Sequence, residues 1–98
     1  MKKYDAERWG QVDGERYALH WLSVNAAYDE EYPVKSEIEW KIISKTGQDE
    51  TESVAHTRAI ERKVEPHKRE RGWYVQAFVA EATRALKRAH TESREYAT

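Results

Sequence analysis

Apolar residues recur along this 98-residue chain in two different rhythms. Between Gly72 and His90 they return every three to four positions. Projected at 100° per residue, Val75, Phe78, Val79, Ala82, Ala85, Leu86 and Ala89 fall on one face, and Gln76, Thr83, Arg84, Lys87 and Arg88 on the other. That spacing predicts an amphipathic helix over about 73–90, with Gly72 breaking whatever precedes it. Between Glu37 and Ile42 the rhythm is two. Ile38, Trp40 and Ile42 point one way and Glu37, Glu39 and Lys41 the other, which predicts a strand over 37–43 with one dry face and one wet face.

The remaining stretches are read from their punctuation. Asp13-Gly14 is a favoured centre for a tight hairpin, pairing Trp9–Val12 with Arg16–Leu19. The rival reading makes Asp13 an N-cap and 14–28 a helix; the hairpin is preferred because that helix would carry apolar residues on two opposite faces. Residues 26–33 read as an acidic loop that ends in Tyr32-Pro33. Lys45-Thr46-Gly47-Gln48 reads as a turn. It sends 51–64 back as a strand with Val54, His56, Arg58 and Ile60 on one face, against a rival helix aligning Ser53, Thr57, Ile60 and Val64. Residues 65–72 read as a linker bounded by Pro66 and Gly72. The expected fold is α+β: one domain over 1–98, loose at 1–6 and 91–98. In it a small antiparallel sheet is packed by the long C-terminal helix, with a mostly α helical bundle as the alternative.

Composition narrows this picture. Leu, Ile, Val and Phe make up only 15 of 98 residues, but four Trp and six Tyr supply the large side chains a core needs. There is no cysteine, so disulfides and thiolate metal sites are excluded. No apolar run approaches the ~20 residues of a membrane span, and the Met1–Trp9 start lacks a signal-peptide core. The expectation is a cytoplasmic protein that does not enter membranes. Residues 1–50 carry a net charge of −4 and residues 51–98 a net of +3, a mild dipole.

Candidate chemistry is sparse. His20, His56, His67 and His90 match no zinc spacing, and Asp29, Glu30 and Glu31 lack the spacing of a calcium loop. The serines have no nucleophile-elbow context and no glycine-rich loop cradles phosphate. The expected protein is therefore non-enzymatic, without catalytic residues, metal or cofactor. Arg58, Arg62, Lys63, Lys68, Arg69 and Arg71 run into Trp73 and Tyr74, the mixture of cations and flat rings that single-stranded nucleic acid uses. Glu61, Glu65 and Glu70 interleave with them, and the chain's pI is about 6.4. Read with 14–28 as a helix, the chain resembles in part the double-stranded RNA-binding domain, ordered helix, three strands, helix. The likeness lies in Trp40–Gly47 and the Ala-rich last helix. That domain's phosphate-gripping lysines at the start of its last helix are here replaced by Gly72-Trp73-Tyr74, so membership does not follow.

The functional expectation is a small binding protein that docks on another protein and modulates it, of the type of a phage-encoded accessory or inhibitor protein. Its contacts would be Arg69, Arg71, Trp73 and Tyr74, with Asp29, Glu30 and Glu31 steering a basic partner surface. The alternative is a nucleic-acid module, for RNA or DNA, using 58–74. Self-association along Ala82, Ala85 and Ala89 is a third possibility.

Overall fold

A computed structural model describes residues 2–25, 37–64 and 68–96. Among them there is no strand. The described residues form three long helices: α1 (Lys3–Asn25), α2 (Glu37–Glu61) and α3 (Lys68–Tyr96). The α+β expectation is thus overturned in favour of a three-helix bundle, and the helix–strand–helix order of the RNA-binding domain goes with it.

The last helix follows its periodicity. Phe78, Ala82 and Leu86 are fully buried, Val75 nearly so, and Val79 and Ala85 pack against them. Tyr74 joins this row, so that 74, 78, 82 and 86 form a ridge of residues four apart. The helix starts earlier than its apolar stripe, at Lys68, and runs through Gly72 without a break. A lone glycine costs a helix interior only about 1 kcal/mol, well within what the packing of α3 offsets.

The other two helices bury residues that a search for large apolar side chains passes over. The inner face of α1 is Ala6, Gly10, Gly14 and Ala18, again four apart. Asp13-Gly14 is no hairpin: both residues lie buried in mid-helix. A Cβ on Gly14 would run into the Phe78 carbonyl oxygen and lie 3.0 Å from the Phe78 Cα. One on Gly10 would run into the Tyr74 carbonyl oxygen and lie 2.9 Å from the Ala77 Cβ. The two glycines let the α1 and α3 backbones touch, the approach that small residues one turn apart permit.

In α2 the inner face is Gly47, Thr51, Ala55 and Ala59, with Ser44 one turn before Gln48. The 37–43 strand is overturned here. Residues two apart on a helix lie about 200° apart. Ile38 and Ile42 therefore stand in solvent, 72% and 60% exposed, while Trp40 between them is half-buried. The expected turn at 45–48 and returning strand at 51–64 are one uninterrupted helix instead. Gly47 serves space rather than turning: a Cβ there would lie 2.7 Å from Trp21 Nε1 and 3.0 Å from a Leu86 methyl.

The helix α2 ends in a Schellman turn. Val64 N–H donates to the Ala59 carbonyl and Lys63 N–H to the Ile60 carbonyl, each at 3.0 Å. Lys63 takes the left-handed conformation this turn needs, at φ 56°, and Val64 tucks into the core behind it. Helix α3 packs extensively on both its neighbours, whereas α1 and α2 touch each other lightly.

Candidate functional site: a polar cleft between the first two helices

The light contact between α1 and α2 is made mostly by long polar side chains. The Tyr17 hydroxyl donates to the Gly47 carbonyl at 2.6 Å, and Trp21 Nε1 donates to the Ile43 carbonyl at 3.0 Å. The Tyr17 ring also lies against Phe78 and Trp21, with centroids 5.7 and 6.2 Å apart. Burial and the nearby Glu50 charge push the Tyr17 phenol up, against a hydrogen bond with Thr51 that acts the other way.

Where α2 ends, the bundle buries a charge. Asp13, 8% exposed, accepts from Arg62 Nε at 2.8 Å, from Arg62 Nη2 at 2.7 Å and from the Tyr74 hydroxyl at 2.6 Å. The Arg62 guanidinium lies over the Trp9 ring, its Cζ 3.9 Å from the centroid. One carboxylate thus ties all three helices together. Burial alone would raise the Asp13 carboxyl, but the hydrogen bonds from Arg62 and Tyr74 and the charges of Arg62 and Arg16 outweigh it and hold the group below the usual carboxylate range. The same contacts act on the partners. The bond to Asp13 raises Arg62, and burial followed by that bond pushes the Tyr74 phenol far above its ordinary value.

Beside this knot the two helices part to leave a cleft of about 490 Å³. Asp13, Arg16, Tyr17 and His20 line it from α1, one face of the helix at spacings of three and four. Arg58 and Glu61 line it from α2, and Arg62 from the turn that ends that helix. On the rim Arg58 Nη1 pairs with Glu61 at 2.8 Å, both side chains more than half exposed.

The contact residues expected from sequence are scattered differently. Arg69 is exposed. Arg71 is half-buried and reaches the Val64 carbonyl at 3.5 Å. Trp73 is half-buried with Lys3 Nζ 5.8 Å from its ring centroid. Tyr74 is fully inside, bound to Asp13. Asp29, Glu30 and Glu31 lie outside the described residues. Of the histidines, His20 faces the cleft and His56 is exposed. Ala82 of the alanine edge is buried within the chain and Ala85 packs against the core. Among the described residues no group of three or more His, Asp or Glu could hold a metal ion, and no helix is long and apolar enough to cross a membrane.

Sequence reasoning missed Asp13, which it assigned to a turn, together with the Arg16 and His20 that share its helix face. A helical projection of 9–20 would have placed Asp13, Arg16 and His20 together; their meeting with Arg62 needs the fold. Comparison with family models, with curated proteins and with solved structures finds no match to this chain.

Proposed function

We propose that this chain is a small non-enzymatic binding protein that docks on another protein and modulates it, of the accessory or inhibitor type that phages encode. The observation that supports the reading most directly is the outer face of α2. Ile38 and Ile42, one turn apart, present most of their surface to water. They are followed along the same face by the exposed pair Lys45–Asp49, 3.9 Å apart. Two unburied branched side chains with a polar border are the form of a helix-face anchor, and covering each is worth roughly 1.5–3 kcal/mol. The nucleic-acid alternative through 58–74 has the exposed Arg69 in its favour, but Asp13 engages both Arg62 and Tyr74.

The test is affinity capture from a lysate of the source cells with the full chain as bait, read by mass spectrometry. The double variant Ile38→Asp/Ile42→Asp should keep its helical circular dichroism and lose the partner. Parallel baits carrying Trp73→Ala or Arg71→Ala ask whether the first turns of α3 contribute. A partner retained by the double variant would count against the α2 face. Salt-sensitive retention of labelled RNA or DNA in place of a protein would favour the alternative.

A further inference from the structure

The α1–α2 cleft has a chemistry of its own. Its walls hold three guanidinium groups and an imidazole against two carboxylates. One of those carboxylates is already engaged, because Asp13 takes two donors from Arg62 and a third from Tyr74. The other, Glu61, is tied to Arg58 by an exposed contact between residues three apart on one helix. Pairs of that kind contribute little and exchange readily. Arg16 on the facing wall is exposed and bears on Asp13 through its charge. With His20 neutral the lining therefore carries a formal charge of +1, and one added carboxylate would balance it.

Resting on the protein-binding reading above, we infer that this cleft receives an acidic side chain of the protein partner, its carboxylate held between Arg16 and Arg58. Guanidinium forks match a carboxylate with paired, charge-assisted hydrogen bonds. The volume of about 490 Å³ admits a few side chains and lies within the ordinary range of ligand pockets. The floor is fixed before anything arrives. Tyr17 is fastened to the Gly47 carbonyl and Arg62 to Asp13, so little ordering is left for binding to impose. The polar cleft and the apolar outer face of α2 then divide the work, one giving selectivity for acid and the other giving area.

A direct titration tests this without the natural partner. The ¹⁵N-labelled full chain is titrated at low salt with a capped hexapeptide of alternating Ala and Glu, with its Gln counterpart, and with inorganic phosphate. The Glu peptide should shift amides of 13–20 and 58–62, and the Gln peptide should not. Arg16→Gln and Arg58→Gln should each weaken the Glu peptide roughly tenfold, the loss of one charge-assisted contact. Arg16→Lys, which keeps the charge and loses the fork, should fall between. Both arginines are exposed, so the variants should fold, and circular dichroism of each checks this. Equal binding of the Gln peptide, shifts outside the cleft, or no shift at millimolar Glu peptide would overturn the inference. Phosphate displacing the peptide at equal concentration would replace its acidic residue with a phosphorylated one. If the peptide fails while Ile38 and Ile42 still govern capture of a partner, the protein-binding reading stands and this one falls. If the peptide binds and a partner is still captured without the isoleucines, the cleft stands as the contact and the α2 face falls.

Discussion

Helix α1 meets its two neighbours in opposite ways. Against α3 it offers what it lacks: at Gly10 and Gly14 the side chain is absent and backbone lies on backbone. Against α2 it offers reach: Tyr17, Trp21 and Asp13 extend across to a carbonyl, a carbonyl and a guanidinium. At those two positions the first seam leaves no room even for a methyl group. The second holds its helices apart by the length of the side chains that join them, and a cleft is the residue of that distance. One helix can thus serve as both foundation and site wall, provided its two faces use different chemistry.

The sharpest way to break the comparison is to put a side chain into the close seam. Gly14→Ala should destabilise the protein by about 3 kcal/mol, because its Cβ meets the Phe78 backbone, which no rotamer change can move aside. The gain in helix propensity, about 1 kcal/mol, opposes this without cancelling it. Urea unfolding followed by circular dichroism measures the difference; a variant as stable as the parent would show that the seam gives way.

Next in size is the charge at the joint of both seams. Asp13→Asn should cost about 2 kcal/mol at pH 7, toward the low end for a broken buried pair because the Arg62 side chain is 30% exposed and can turn to water. The sign with pH follows from a carboxyl held below its unfolded value. Its contribution is complete above the unfolded pKa, about 3.9, and is lost as pH falls through the folded value. The stability gap between parent and Asp13→Asn should therefore be constant from pH 7 to about pH 5 and close below about pH 4. A gap that stays open in acid would deny Asp13 the ionised role.

The wide seam alone is probed by Tyr17→Phe. Removing a hydroxyl that donates to the Gly47 carbonyl should cost about 1 kcal/mol. The carbonyl still accepts from Thr51 at 2.8 Å, so the loss stays small. The effect should appear in amide exchange of α2 around 47–51 before it appears in α3.

How much of this could be read in the sequence follows the same division. Helix α3 was legible because its buried face contains Val75, Phe78 and Leu86, large enough to mark a period. In α1 and α2 the buried rows are Ala6, Gly10, Gly14, Ala18 and Gly47, Thr51, Ala55, Ala59. Propensity rules read Gly14 and Gly47 as turns, and nothing hydrophobic contradicted them. The alternation Ile38, Trp40, Ile42 then filled the gap with a strand, on the premise that isoleucine means interior. The informative regularity was small residues every four positions in two separate stretches. Of the candidate site, Arg62 and Tyr74 could be named as chemistry, but Asp13 is 49 and 61 residues away from them and only packing introduces it.

Gly72 supplies the control that gives the Gly14 result its meaning. Both glycines lie inside helices with ordinary negative φ, so intrinsic propensity favours alanine equally at each. A Cβ at Gly72 meets nothing within 4 Å. Gly72→Ala should consequently raise stability by about 0.7 kcal/mol, since it narrows the unfolded chain's freedom and disturbs no contact. The two substitutions are chemically identical, and the difference between them isolates the close approach of α1 to α3 from any general effect of glycine on a helix. If Gly72→Ala destabilised as Gly14→Ala does, the cost at Gly14 could no longer be assigned to the Phe78 backbone, and the contrast between the two seams would lose its physical basis.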